Sequence, residues 1–178
     1  AISAALSLLA GTAVALLVGL TDLRGKAALT FLVLIPMMIP PHVTAIAWTQ
    51  AMGPSSPLLG TLGLAPPPGS PHPLYGRVGV IALLAVQHMP LVFLVVLAAL
   101  RTLPREMAEA ARISGARPRR LLFGVILPLL RPNLLAAYAL AFVSSLGNFG
   151  IPALLGIPGR YTTLPVLIID IAQLWLPA

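Results

Sequence analysis

The stretch Val78–Leu100, VGVIALLAVQHMPLVFLVVLAAL, holds 23 residues without one lysine, arginine, aspartate or glutamate. A helix needs about 20 predominantly apolar residues to cross the hydrocarbon of a bilayer, so this stretch reads as a membrane span. Four further segments qualify or nearly do: Ala1–Leu20, Ala27–Met52, Asn133–Gly150 and Tyr161–Leu176. The expected fold class is therefore all-α, a polytopic transmembrane helix bundle with about five spans. Gly11, Ala15 and Gly19 in the first span form a small-residue stripe that lets another helix approach closely. The second span contains Pro36, Pro40 and Pro41. Three prolines predict a kinked or broken helix whose freed carbonyls are satisfied by protein or water rather than lipid. The last span is short and is interrupted by Pro165.

Composition supports the same class. The 178 residues are 58% hydrophobic and 8% charged, with a mean hydropathy of +0.99. An ordinary globular domain carries about 25% charged residues, so most of this surface is expected to face lipid. There is no cysteine, which removes disulfide and thiolate chemistry. The net charge of +7 does not imply nucleic acid, because the basic residues sit in gaps between apolar runs and not on a face with base-reading side chains. The chain opens inside an apolar run, with neither a starting methionine nor a basic leader region. Ala1–Leu20 is thus expected to be a membrane helix and not a signal peptide, and the chain a fragment of something longer.

Basic residues orient the bundle. Arg24 and Lys26 fill the first connection, and Arg101, Arg105, Arg112, Arg117, Arg119, Arg120 and Arg131 fill the third. Only Arg77 and Arg160 fall in the second and fourth. Positive residues stay on the cytoplasmic side, which places residues 21–26 and 101–132 in the cytoplasm. The opposite connection, Gly53–Gly76, carries seven prolines and five glycines and is expected to be irregular, with a short turn of helix at Ser56–Leu62.

The third connection has its own pattern. Pro104 suits a first helical position and Glu106 a first turn, where the macrodipole favours an anion. This helix is expected to run to about Ser114, with Gly115 as its stop. Met107, Ala110, Ala111 and Ser114 share one face, and Arg105, Glu109 and Arg112 another. A second helical piece, Pro118–Leu127, is expected to be stopped or kinked by Pro128 and Pro132. A basic helix lying on anionic lipid would account for the arginines. It would not account for Glu109 beside two alanines, with a glycine four residues after the second.

Glu109-Ala110-Ala111, three residues, Gly115, nine residues, then Val125-Ile126-Leu127-Pro128 resembles the EAA motif of binding-protein-dependent ABC importer permeases. In that pattern Val125 stands where isoleucine is usual. The resemblance implies a single permease domain over residues 1–178, with the short helix acting as a coupling helix on a cytoplasmic ABC ATPase subunit. Glu109, Ala110, Ala111, Gly115, Leu127 and Pro128 would be its ATPase-coupling residues. It further implies a second permease half, fused or separate, an external substrate-binding protein, and a place in the bacterial cytoplasmic (inner) membrane. Ser145–Pro165, SLGNFGIPALLGIPGRYTTLP, and Leu34–Trp48, LIPMMIPPHVTAIAW, look like the equivalent regions of ferric-iron, thiamine and polyamine permeases. In the iron-type members two halves are commonly fused, and this stretch looks like the first.

No catalytic chemistry is expected on the chain itself. Lys26 follows Gly25, but Leu20 and Ala27 stand where a phosphate-binding loop needs Gly and Ser or Thr. ATP hydrolysis therefore belongs to a partner, and no cofactor is expected. His42, His72 and His88 share no helical spacing, which argues against a metal cluster. Four polar residues in or near spans, Gln87, His88, Asn148 and Asp170, are candidates for a translocation pathway. Each could equally hold helices together by polar contacts. An ion-gradient-driven transporter or channel is the alternative function. It would call for several intramembrane ionisable residues and inverted repeats, whereas Asp170 is the one clear intramembrane acid. A membrane scaffold with a lipid-binding basic loop is a third reading.

Overall fold

The computed structural model describes residues 1–54, 56–63, 72, 74–103 and 118–175. Their helices are α1 (Ile2–Leu20), α2 (Lys26–Met38), α3 (Pro41–Met52), α4 (Pro57–Thr61), α5 (Arg77–Thr102), α6 (Arg119–Leu146) and α7 (Leu164–Trp175). The fold is an all-α membrane bundle, with no strand among the described residues. At about 1.5 Å per residue, α1, α5 and α6 reach about 28, 39 and 42 Å, against a hydrocarbon core of about 30 Å. These three are long and apolar enough to cross a membrane. The second expected span is broken: Lys26–Met38 and Pro41–Thr61 are bent by 105° at Ile39 and Pro40. Among the described residues there are thus three continuous helices able to span, or four if the bent pair counts as one span. The fifth expected span, α7, has 12 described residues and reaches only about 18 Å.

The fourth span also differs from expectation. It was placed at Asn133–Gly150, after a separate cytoplasmic piece ending near Pro128. Instead a single helix runs from Arg119 through both Pro128 and Pro132 to Leu146. The turn Leu122–Ile126 widens to a π-helix, and the Leu127 amide donates to the Leu122 carbonyl. One wide turn absorbs the mismatch that a proline imposes on the preceding carbonyl, so the helix continues where a strict α-helix would kink.

Helix α5 is the hub. Val92, Phe93 and Val96 are fully buried, packed with Ala15 and Val18 of α1 and Leu130, Ala137 and Ala141 of α6. The small-residue stripe of α1 meets α5 as expected. A Cβ on Gly11 would lie 2.8 Å from both the Met89 carbonyl oxygen and Val92 Cβ, and one on Gly19 would lie 3.0 Å from Leu100. Ser7 pairs with Ala85, Gly11 with Met89 and Val92, and Gly19 with Leu97 and Leu100. Partners advance together along both helices, so α1 and α5 run parallel. α6 runs the other way: Ser145 meets His88, while Leu121 and Ile126 share a cavity with Leu97 and Leu100.

That arrangement sorts the charges. Lys26 and Arg101 border one cavity at the end where α1 and α5 finish, and Asp22 lies 3.6 Å from Lys26 there. Arg77 borders a second cavity with Tyr161 and Thr162 at the opposite end. The opposite end is closed by backbone-to-backbone packing. The Gly76 amide donates to the Leu155 carbonyl at 2.7 Å, and Gly76 holds φ +101°, a conformation glycine adopts without strain. Gly159 lies against the Gly76 backbone, and Gly156 against the Tyr161 carbonyl, with no room for a side chain at either. Two glycines of the Ser145–Pro165 stretch, Gly156 and Gly159, are therefore packing requirements of this seat. In the long connection Ser56 caps α4, its Oγ accepting from the Leu59 amide at 3.3 Å, with Pro57 at the first helical position.

Close contact at Gly11 can be tested by adding one methyl group. Gly11→Ala is expected to destabilise the full-length protein by about 1–3 kcal/mol, the usual cost of overpacking a filled interface. Gly124→Ala, at an exposed position with room, should change stability by no more than about 0.5 kcal/mol. Thermal aggregation profiles of the two variants in detergent would measure the difference. Equal profiles would mean that α1 and α5 do not approach as described.

Candidate functional site

The polar residues of the spans gather around one turn of α5, just ahead of Pro90. Gln87 lies on the side facing the broken segment. Its Nε2 donates to the Pro36 carbonyl at 2.8 Å and to the Ile39 carbonyl at 3.2 Å. Pro36 would normally be served by the amide four residues on, but that residue is Pro40, which has none. The Ile39 carbonyl is released because the chain turns there. One side-chain amide has two donors, and both are spent on the break. The amide oxygen of Gln87 is buried and has no partner among the described residues.

His88, the next residue, points to a different neighbour, about 100° further round the helix. It is buried, its Nδ1 lies 2.8 Å from the Leu84 carbonyl, and Ser145 Oγ of α6 is 3.3 Å from the same nitrogen. Ser7 of α1 donates to the Ala85 carbonyl at 2.8 Å and to its own Ser3 carbonyl at 3.0 Å. Within residues 84–88, α5 thus makes polar contact with α1, with the α2–α3 break and with α6. In hydrocarbon such contacts replace the hydrogen bonds that water would supply.

The other two polar candidates stand apart from this cluster. Asn148 is buried at the end of α6, and its Oδ1 accepts from the Ile151 amide at 3.2 Å. That is the geometry of a helix N-cap, and it starts the turn leading into Pro152–Gly156. Asp170 is exposed on α7, and its carboxylate has no ion-pair partner among the described residues. Ser7 and Ser145 were missed by the sequence reading. Ser7 had a signal: the four-residue stripe of α1 extends upstream through Ser7 and Ser3, both buried. Ser145 had none, because its role depends on which turn of α5 it meets.

Of the coupling residues, Glu109, Ala110, Ala111 and Gly115 lie outside the described residues. Leu127 and Pro128 are half-buried in α6, immediately after the π-helical turn. The connection that carries the motif leaves from Leu103 and returns at Pro118. Leu103 and Leu121 border the same cavity of about 960 Å³, together with Lys26 and Arg101. Both ends of the connection are therefore anchored at the basic end of the bundle. Among the described residues no group of histidines and carboxylates could hold a metal ion.

Residues 7–178 match the family described as binding-protein-dependent transport system inner membrane component. A trehalose/maltose transport system permease protein of Thermococcus litoralis is 30% identical over 168 residues, covering 91% of this chain and 57% of its own length. A molybdenum transport system permease protein of Azotobacter vinelandii is 29% identical over 170 residues, 93% of this chain and 73% of its own. A putative 2-aminoethylphosphonate transport system permease protein of Salmonella typhimurium is 33% identical over 152 residues, 83% of this chain and 50% of its own. The chain thus spans between half and three quarters of the length of these relatives. With an all-α membrane bundle and a match over nearly its whole length, the chain belongs to the binding-protein-dependent transport system inner membrane components, the permeases of ABC importers.

Proposed function

We propose that this chain is the transmembrane half of an importer that moves a small solute across the bacterial inner membrane. The reading rests on the family match over residues 7–178. An external binding protein delivers the solute, and a second permease half completes the pathway. A separate cytoplasmic ATPase docks on the connection between Leu103 and Pro118, with Glu109, Ala110, Ala111 and Gly115 as its seat. Leu127 and Pro128 belong to the same motif, and they follow a π-helical turn where α6 begins. Gln87, His88, Asn148 and Asp170 are proposed to act along or beside the solute path. The gathering of Lys26 and Arg101 at one end of the bundle supports placing residues 21–26 and 101–132 in the cytoplasm by the positive-inside rule. ATP binding then shifts the bundle between two states through a remote site, which is how a coupling free energy acts.

The solute itself is proposed only as a small hydrophilic molecule or ion. Ferric iron rests on the resemblance of Ser145–Pro165 and Leu34–Trp48 alone. The relatives carry names for trehalose/maltose, molybdenum and 2-aminoethylphosphonate systems, and Gly156 and Gly159 of the first of those two stretches are accounted for by packing.

Orientation is testable because the chain has no cysteine of its own. A cysteine at Arg24 or Arg119 should react only from the cytoplasmic side, and one at Ser70 only from outside. Reaction at position 119 with an impermeant reagent added to intact cells would reverse the topology.

Docking makes a separate prediction. An alanine face admits a close partner and rejects bulk. A glycine that stops a helix in a left-handed conformation, the role proposed for Gly115, resists a β-branched side chain at a cost of order 1 kcal/mol. Ala111→Arg and Gly115→Val should lose the co-purifying ATPase and abolish transport while the protein still inserts in the membrane. A purely lipid-binding connection predicts the reverse ranking, with the joint loss of Arg119 and Arg120 doing most harm. Co-purification of each variant with its ATPase separates the two.

A further inference from the structure

The break in the second membrane segment leaves backbone groups that hydrocarbon cannot serve. The carbonyls of Pro36 and Met37 would each need the amide four residues ahead. Those residues are Pro40 and Pro41, and neither has one. Gln87 serves Pro36 and Ile39, but no donor among the described residues reaches the Met37 carbonyl. The break is also deep. Gln87 is the eleventh residue of the 26-residue α5, about 15 Å from one end and about 22 Å from the other at the helical rise. Met37 and Met38 are 53% and 74% exposed there.

Irregular backbone at such a depth does not face lipid, because each unsatisfied carbonyl in hydrocarbon costs several kcal/mol. It persists where protein covers it or water reaches it. Behind the break the protein is already in place, as Gln87. The open side carries Met37 and Met38.

We propose that the break between Pro36 and Pro41 lines the aqueous path through this bundle, with Met37 and Met38 on its wall. Gln87 is then a positioning residue, holding the turn from behind so that the carbonyl oxygens of Met37 and Met38 face water and the passing solute. Those oxygens are acceptors only, so this wall suits hydrated solutes that present donors. The methionine side chains are flexible and polarisable, which fits a wall that repacks between states. The inference deepens the permease reading and rests on it for the word path, but water contact at the break can be measured by itself.

The test uses single cysteines in the full-length transporter, naturally free of cysteine over these 178 residues, with any cysteine elsewhere replaced. Met37→Cys and Met38→Cys are compared with Leu9→Cys. Leu9 is 69% exposed on unbroken α1. It lies at the depth of Gln87, because its neighbours Ser7 and Gly11 meet Ala85 and Met89. A charged, impermeant thiol reagent reacts with the thiolate, which forms in water and not in hydrocarbon. Position 37 or 38 should therefore react at least about ten-fold faster than position 9. Adding Gln87→Leu or Gln87→Met, neither of which has a donor to offer the break, to the Met38→Cys protein should change that rate several-fold. Uptake by each single-cysteine protein confirms that it is folded. If positions 37 and 38 react no faster than position 9 in proteins that still transport, the break is covered and the proposal fails. If they react fast in a protein with no ATP-driven uptake even before substitution, the permease reading fails and the water-lined break stands.

Discussion

Hydrocarbon offers no hydrogen bonds, and that constraint organises this bundle more than any single contact. Every amide and carbonyl at membrane depth must find its partner within the protein or in a water-filled cavity that the protein encloses. Proline tests the rule wherever it falls inside a span. Here it falls at Pro36, Pro40 and Pro41, at Pro90, and at Pro128 and Pro132, and the three places resolve it differently. At the first, the helix breaks and a glutamine from α5 takes two of the released carbonyls. At the second, the helix continues, and the turn before the proline becomes the meeting point for Ser7 and Ser145. At the third, a π-helical turn carries the helix onward. One residue type thus yields a break, a polar junction and a widened turn, according to what stands nearby.

The second organising feature is close approach. With lipid on the outside there is little hydrophobic gain in bringing helices together, so packing and polar contacts must do it. The α1 stripe provides both: Gly11 and Ala15 let α5 in, while Ser7 on the same face donates to the Ser3 and Ala85 carbonyls. Parallel packing of α1 and α5 brings their basic ends together. The cavity there is bordered by Leu103 and Leu121, from which the connection bearing the motif departs and to which it returns. On the proposed function, a partner moving that connection would act directly on the ends of α5 and α6. α5 in turn touches α1, α6 and the broken segment through one polar turn. That is a compact route from a docking site to the middle of the membrane.

Most of the all-α membrane fold was legible in the sequence because it depends on run length and charge alone. Val78–Leu100, the proline-rich second segment, the turn of helix at Ser56–Leu62 and the Gly11–Ala15–Gly19 stripe were all recoverable from local patterns, since their causes lie within a few residues. The EAA-like spacing was legible for the same reason, and it led to the family that the comparison of residues 7–178 shows. The limits of the fourth span were not. Whether a proline ends a helix depends on whether the turn before it can widen, and hydropathy does not report that.

What the sequence determined by itself was the class of solvent, the family, the side that carries the charges, and the fact that the second span must be interrupted. What only the tertiary structure decided was the use made of each polar residue. Gln87 and His88 are adjacent in the chain and looked alike as pathway candidates. A helix turns about 100° per residue, so the two point to different neighbours. One clasps a broken backbone and the other faces a serine on α6. Asn148 caps a turn and Asp170 stands exposed on α7. Side-chain chemistry is written locally, but a hydrogen bond in a membrane is made with whichever helix lies opposite, and only packing decides which one that is.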